Sequence, residues 1–246
     1  MIVDAHAHLG CDEVFDEDFG EEDLLASQAQ NGIALTLVQP GSVHDLAGVQ
    51  RQHDAIAALC ARYPGRFRGI ANPNPYLPEA AYLGEVRRCV QELGFVGVKI
   101  NPLAHAVNPL GRHARRVFSA ADELGQPVVV HTGAGLPWGA PSLLAPVAEA
   151  HPALKLVVAH AGGMLSAEAG LLAERHDNVY LETSWMGGFC IREWVHRLGA
   201  RRVLFGSDHV DNAATELAKF RSLGLSDEDL QWALGRTATV VFGLEP

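Results

Sequence analysis

"PVVVHTGAG", residues 127–135, is a short apolar run that ends on a histidine and then breaks into small residues. Its three consecutive valines favour a buried strand, because β-branched side chains pack well on a pleated surface. An imidazole at the end of such a strand has two interpretations: a core histidine bonded to a nearby carbonyl, or a group that faces a functional site. The rest of the chain bears on the choice, because the same pattern recurs.

Eight such β-rich runs follow one another along the chain, separated by segments whose apolar residues have helical spacing, such as "RHARRVFSAADELG" (112–125). The distance from one run to the next averages roughly 30 residues, the length of a βα unit. This alternation predicts an α/β fold, a (β/α)₈ (TIM) barrel, rather than a doubly wound open sheet with a glycine-rich first turn. The runs are "MIVDAHAHLG" (1–10), "IALTLVQPG" (33–41), "RFRGIANPNP" (66–75), "FVGVKINP" (95–102), "PVVVHTGAG" (127–135), "LKLVVAHAGG" (154–163), "NVYLETSW" (178–185) and "RVLFGSDH" (202–209).

Length and composition limit the class of protein. A chain of 246 residues can form one barrel domain, so we expect a single domain over residues 1–246. The 29 acidic residues outnumber the 19 basic ones, which argues against a nucleic-acid partner. We find no secretory leader and no apolar run of about 20 residues, and therefore expect a cytoplasmic protein without a membrane partner. The four cysteines form no C-x-x-C pair, which favours reduced thiols over a disulfide framework.

Polar residues lie at or near the ends of most of these runs. Active sites of barrels form at the carboxyl ends of the strands, so these side chains are expected to meet at one mouth. Residues two apart on a strand share a face, so the two histidines of "HAH" point the same way. The polar set is His6, His8, Lys99, His131, His160, Glu182 and Asp208.

A divalent metal explains this set better than structural roles do. His131 or His160 alone would more often be a core histidine, and Asp208 alone would serve as a helix N-cap. Several imidazoles and a carboxylate that share one buried mouth are costly without a ligand. Imidazole and carboxylate donors suit Zn²⁺ and related ions, so we predict one divalent metal, Zn²⁺ first and Mn²⁺ as the alternative.

With these motifs in order, the sequence resembles the amidohydrolase superfamily, specifically its amidohydrolase-related branch (amidohydrolase 2), which holds metal-dependent hydrolases and decarboxylases. The resemblance implies that His6, His8, His131 and Asp208 hold the metal and that His160 acts beside it as a base or oxyanion-stabilising group. Binuclear relatives carry a carboxylated lysine at the position of Lys99 that bridges two metals.

For Lys99 we favour a different role, an interior ion pair with a carboxylate such as Glu182, because a buried ammonium needs a partner. Two positions depart from the pattern of many relatives: Asn101 replaces a histidine, and Thr237 replaces an asparagine. The change at Asn101 bears on contacts around the metal or on recognition of the substrate.

Two reactions remain open on this ligand set. In a hydrolase, a metal-activated water would attack an amide, ester or lactone carbonyl. Asp208 would act as the base, and His160 would stabilise the oxyanion or share the proton transfer. The alternative is non-oxidative decarboxylation of an aromatic or unsaturated acid. Because the chain leaves little room for an inserted lid, we favour hydrolysis. A metal-binding barrel without catalysis is a third reading.

The substrate is expected to be a small molecule, and a homo-oligomer is compatible with the sequence. Its recognition must come from the loops at the mouth, where Asn101, Trp138 and Trp185 are the predicted binding residues.

Overall fold

The computed structural model describes residues 1–133 and 138–244, and within them the chain forms nine strands and ten α-helices. The strands are β1 (Ile2–Asp12), β2 (Glu17–Phe19), β3 (Ile33–Pro40), β4 (Phe67–Gly69), β5 (Val98–Ile100), β6 (Val128–His131), β7 (Leu156–Ala159), β8 (Val179–Glu182) and β9 (Val203–Leu204). The helices are α1 (Glu21–Asn31), α2 (Leu46–Arg62), α3 (Glu79–Gln91), α4 (Arg112–Glu123), α5 (Ala145–Ala150), α6 (Ser166–Arg175), α7 (Gly188–Leu198), α8 (Ala213–Ser222), α9 (Asp227–Gln231) and α10 (Thr237–Phe242).

Eight of the nine strands run parallel and close into a barrel. They form two hydrogen-bonded sheets, β1–β3–β4 and β5–β6–β7–β8–β9. A parallel bridge between Ala71 and Val98 joins the sheets on one side. On the other side, Ala5 N–H donates to the carbonyl of Phe205 at 3.0 Å. The predicted (β/α)₈ barrel is thereby confirmed: seven of the eight predicted runs contain one of its strands, and the first run overlaps β1, which extends two residues further to Asp12.

The remaining strand, β2, pairs antiparallel with the end of β1 in a hairpin that the sequence analysis missed. The hairpin is an addition to the barrel, because β2 pairs only with Gly10–Asp12 of β1, beyond the residues of β1 that pair with β3. The turn is stabilised by Asp12, whose carboxylate accepts hydrogen bonds from the backbone N–H groups of Val14, Phe15 and Ser42. This hairpin lies over the mouth of the barrel, where Phe15, Glu17 and Phe19 line a cavity together with the polar residues at the strand ends.

Buried side chains from opposite strands fill the barrel interior. One core cluster includes Leu35 and Leu37 of β3, Val129 of β6 and Leu204 of β9, together with residues of α10. Strands on opposite sides of a barrel can meet only inside it, so this cluster marks the interior. His131 lies two residues after Val129 on the same face and therefore points inward at the mouth.

A larger cluster packs the outer faces of the strands against the helices, with Val128 and Val130 of β6 among its members. In the part of the chain that the structure describes, no helix has the length and apolarity needed to span a bilayer.

Candidate metal centre

The predicted ligand residues converge at the mouth of the barrel. One donor atom each of His6, His160 and Asp208 lies within 4.8 Å of the others. His8 joins this group through Asp208, since its Nε2 is 3.3 Å from Asp208 Oδ1. His131 joins through His160, with 3.2 Å between His131 Nδ1 and His160 Nε2. The structure thus brings all five predicted residues together, and their individual roles toward a metal remain predictions.

Glu182, at the end of β8, is fully buried beneath this group and acts as its common hydrogen-bond acceptor. Its Oε2 accepts from His6 Nδ1 at 2.9 Å and from the backbone N–H of His160 at 3.1 Å. Ser184 donates its hydroxyl to Oε2 at 2.9 Å and its backbone N–H to Oε1 at 2.6 Å. A carboxylate so placed fixes the orientation of the side chains above it.

These contacts also set the proton positions on two imidazoles. Because Glu182 accepts from His6 Nδ1, the lone pair of His6 is on Nε2, which is 3.1 Å from Asp208 Oδ1. The hydroxyl hydrogen of Ser184 is used on Glu182, so its oxygen accepts from His160 Nδ1 at 2.8 Å. The lone pair of His160 is then on Nε2 as well. Both imidazoles present an unprotonated nitrogen toward the same space.

The backbone is strained at three positions of the site. His160, Trp185 and Asp208 have φ angles of 59°, 65° and 63°, in the left-handed region that costs a non-glycine residue on the order of 1 kcal/mol or more. A hydrogen bond from its own N–H supports each residue: His160 to Glu182 at 3.1 Å, Trp185 to Glu216 at 2.9 Å and Asp208 to the His6 carbonyl at 2.7 Å. Such strain is found mainly where function requires it.

Gly206 allows the segment that follows β9 to approach this group closely. A Cβ at this position would lie 2.5 Å from Glu182 Oε1 and 2.9 Å from His6 Cβ. Any side chain would therefore displace Glu182 or His6, which explains the glycine two residues before Asp208.

The electrostatics suit a cation. Burial lowers the pKa of His6 and His131 well below the usual value and that of His160 to about 4, so these imidazoles are neutral and their lone pairs are available. Burial opposes ionisation of Asp208, but the neighbouring His6 and His8 outweigh it and hold its pKa well below the usual range. Neutral imidazoles beside an ionised carboxylate are the protonation states that metal binding requires.

The spacing of the donors is a second test of fit. Ligand atoms about 2.1 Å from one tetrahedral ion are roughly 3.4 Å apart. Asp208 Oδ1 lies 3.1 Å from His6 Nε2 and 3.3 Å from His8 Nε2. The residues present therefore fit a divalent metal in both donor chemistry and spacing.

Lys99 does not form the predicted ion pair with Glu182. Among the described residues, no carboxylate lies within 4.0 Å of its Nζ, which instead lies 3.3 Å from His6 Nε2. The reason is that His6, His160 and Ser184 already occupy the oxygens of Glu182. Burial lowers the pKa of Lys99 to about 8, with the charges of Asp208 and Glu182 acting in the opposite direction.

A small cavity of about 70 Å³ lies above the ligand group. Asn101, one of the three predicted substrate-binding residues, lines it, whereas Trp138 and Trp185 are not among the described residues that do. Trp138 is half-buried, and Trp185 is 57% exposed with its indole N–H donating to Asp208 Oδ2 at 2.8 Å. Trp185 therefore contacts a predicted ligand from outside rather than forming a wall of the cavity.

The residues that roof this cavity were not predicted from the sequence. They come from the hairpin and include Phe15, Glu17 and Phe19. Phe19 stacks on His8 with 4.9 Å between ring centroids and separates the cavity from an outer cleft of about 520 Å³. Two phenylalanines in the acidic stretch "DEVFDEDFGEED" (12–23) were the available signal, since apolar rings in a polar loop often cover a site.

A second cluster of metal-type side chains, His53, Glu85 and Cys89, lies buried away from the mouth. Its groups already have partners: His53 Nε2 accepts from the backbone N–H of Asn72, and His53 Nδ1 donates to Glu85 at 2.7 Å. Arg88 pairs with Glu85 at 2.8 Å. This cluster is satisfied without an ion and links α2 and α3 to the end of β4.

A closed (β/α)₈ barrel whose mouth is lined by neutral imidazoles and an ionised carboxylate has the architecture of a metal-dependent enzyme. Comparison with known proteins is specific about the family. The family model described as Amidohydrolase (Amidohydro_2) matches residues 3–244, and the chain belongs to this family, an enzyme family of the amidohydrolase superfamily.

Two curated relatives have the same name. The gamma-resorcylate decarboxylase of Rhodococcus jostii (strain RHA1) is 26% identical over 255 aligned positions, which cover 80% of this chain and 76% of the relative. The gamma-resorcylate decarboxylase of Polaromonas sp. (strain JS666) is 26% identical over 249 positions, covering 73% and 71%.

Solved structures with the same fold include two decarboxylases. A 2,6-dihydroxybenzoate decarboxylase complexed with 2,6-dihydroxybenzoate superposes with a TM-score of 0.81 at 18% identity, covering 99% of both chains. A dihydroxybenzoic acid decarboxylase from Polaromonas sp. JS666, with bound manganese and 2-nitroresorcinol, gives 0.80 at 19% identity over 99% of this chain and 97% of the other. At these identities the likeness concerns the fold.

The preference for hydrolysis was wrong. The curated relatives are named as decarboxylases, and they favour the alternative reaction. The preference relied on chain length and the lack of room for a lid, although a hairpin within β1–β2 already covers the mouth. The ligand set did not discriminate, because the same imidazoles and carboxylate serve both reactions. The specific choice of zinc also has no support in these comparisons, where the metal named is manganese.

Proposed function

We propose that this chain is a divalent-metal-dependent, non-oxidative decarboxylase of small hydroxylated aromatic acids. The observation that carries the proposal is the convergence of His6, His8, His131, His160 and Asp208 on one space at the barrel mouth. The names of the relatives indicate the reaction, and a neighbour with bound manganese supports Mn²⁺ at least as well as Zn²⁺.

In this proposal, His6, His8, His131 and Asp208 hold the metal. A divalent cation in that position would orient the acid and polarise its oxygens. Glu182 keeps the His6 ring in place through the 2.9 Å hydrogen bond at Nδ1. Trp185 holds the second oxygen of Asp208 at 2.8 Å, so that Oδ1 remains directed toward the histidines.

The reaction converts an aryl carboxylate and one proton into an arene and CO₂. The bond between the ring carbon and the carboxyl carbon breaks, its electron pair stays on the ring carbon, and a proton is added there. We assign the delivery of that proton to Asp208 and His160, whose donor atoms lie within 4.8 Å of one another. Because Asp208 is ionised and His160 is neutral with a bare Nε2 at neutral pH, the proton must be taken up from solvent or from a phenolic hydroxyl before it is transferred.

The roof of the cavity must shift for a ring to enter. A cavity of about 150 Å³ accommodates benzene, whereas this one measures about 70 Å³. Phe19 lines both the cavity and the outer cleft, so its displacement from His8 would join the two spaces. With the ring bound, the hairpin phenylalanines would exclude water from the reacting carbon.

The test is CO₂ release from 2,6-dihydroxybenzoate and its positional isomers by protein loaded with Mn²⁺ or Zn²⁺. We expect release that depends on the metal and is abolished by Asp208→Asn. Metal-stripped protein serves as the control. Absence of CO₂ from every hydroxybenzoate, with protein of measured metal content, would refute the proposal.

A further inference from the structure

Asn101, at the end of β5, has its side-chain amide locked in one orientation. Its Oδ1 accepts hydrogen bonds from the backbone N–H groups of Leu103 and Ala104, both at 3.1 Å. Because backbone N–H groups can only donate, the atom that faces them must be the oxygen. The amide nitrogen is therefore fixed on the other side of the side chain.

That nitrogen is a donor without a protein acceptor among the described residues. Asn101 is only 7% exposed and lines the cavity above the metal ligands. No described residue accepts a hydrogen bond from its Nδ2, in contrast to the two bonds made by Oδ1. The amide N–H group is therefore free to donate to a ligand that brings an acceptor into the cavity.

The chemistry of the same wall favours an anionic acceptor. Lys99 precedes Asn101 by two positions, and both line the cavity. The Lys99 ammonium and the Asn101 amide offer only hydrogen donors to this space. Hydrogen bonds to an ionised acceptor are stronger than those to a neutral one, so a carboxylate gains most from this wall.

We propose that Asn101 Nδ2 binds a carboxylate oxygen of the substrate and thereby selects aromatic acids over neutral aromatic compounds of the same shape. This inference rests on the proposed function for the kind of substrate. It goes further by assigning the contact to one atom, which can donate but cannot accept.

The test is direct binding of benzoate and benzamide, which share shape and differ in charge, to Mn²⁺-loaded protein by calorimetry. The informative variant is Asn101→Asp, in which one oxygen still accepts from Leu103 and Ala104 while the other replaces the donor. Asn108→Asp is the matched control, because Asn108 Oδ1 caps a similar turn through Leu110 N–H at 3.0 Å outside the cavity.

We expect Asn101→Asp to weaken benzoate binding about tenfold or more, because a carboxylate oxygen would face the ligand's carboxylate. Benzamide, whose N–H group can pair with the new oxygen, should bind within about threefold of its original affinity. Asn108→Asp should leave both affinities unchanged. Metal content and thermal unfolding of each variant are measured alongside.

Equal weakening of both ligands by Asn101→Asp, or no change in either, would overturn the inference, as would failure of the wild-type protein to bind benzoate. Binding does not require turnover. If no hydroxybenzoate releases CO₂ but benzoate binding still depends on Asn101, the proposed function fails and the inference stands.

Discussion

His6 Nδ1 and Glu182 Oε2 are 2.9 Å apart at the base of the barrel mouth, and both side chains are almost completely inaccessible to solvent. This single contact fixes the ring of one predicted metal ligand and directs its lone pair toward the cavity. Glu182 also supports the strained backbone of His160. The geometry of the site therefore depends on a residue that is not itself a predicted ligand.

Glu182→Gln should weaken metal binding roughly 10- to 100-fold. Every partner of Glu182 donates to it, so the amide nitrogen of glutamine would face another donor. Metal affinity can be measured by competition with a chromophoric chelator, with circular dichroism to confirm folding. Unchanged affinity in a folded variant would show that Glu182 does not orient His6.

His131→Ala and His160→Ala separate a ligand from its neighbour. We expect His131→Ala to lose bound metal and His160→Ala to retain it while losing activity. Elemental analysis after gel filtration gives the metal content of each. Equal metal loss in both variants would assign His160 as a ligand. The comparison is informative because a donor atom of His160 lies within 4.8 Å of those of His6 and Asp208.

Lys99→Met tests the number of metals. We expect wild-type protein and variant both to hold about one divalent ion per chain, since the predicted ligands outside Lys99 suffice for one site. A decrease from two ions to one would instead identify a carboxylated Lys99 that bridges two metals. The buried position of Lys99 next to His6 makes methionine, similar in length and apolar, the suitable replacement.

Trp185→Phe removes the indole N–H that binds Asp208 Oδ2 but keeps an aromatic ring. Because Trp185 is 57% exposed, we expect a modest effect, metal affinity lowered up to about tenfold with little change in thermal stability. The comparison variant is Phe189→Leu, an exposed aromatic position on the neighbouring helix α7. A purely substrate-binding Trp185 would leave metal affinity untouched.

His105→Leu should flatten the acid dependence of stability. Burial lowers the pKa of His105 to about 4, and neither ring nitrogen has a partner among the described residues. Between pH 6.5 and 4 the unfolded chain gains a proton on this imidazole that the folded chain does not, so stability falls as pH decreases through that range and is fully retained above it. The cost between pH 7.5 and 5 is on the order of 2 kcal/mol.

Urea unfolding at these two pH values measures the difference. The wild-type protein should lose more stability than His105→Leu on going from pH 7.5 to 5. An identical loss in both proteins would mean that His105 does not titrate in this way.

Near the site, the burial of the charged side chains was predicted correctly, but their hydrogen-bond partners were not. Lys99 and Glu182 were correctly expected to be interior, but they do not pair with each other. The partner of Lys99 is His6, and the partners of Glu182 are His6, His160 and Ser184. Burial can be anticipated from a position near a strand end, whereas the partner of a buried charge depends on which competing donors are nearer.

The sequence by itself determined the barrel and the residues at its mouth. Strand and helix periods are local, and the eight runs place each polar residue near a carboxyl end, so the convergence of His6, His131 and Asp208 follows from the fold class. Only the tertiary structure decided how Glu182 ties His6 to His160, how the hairpin covers the cavity, and which atom of Asn101 is bonded to the backbone. Those features depend on contacts between residues up to 176 positions apart, and on the competition of several donors for one buried oxygen, which no local pattern encodes.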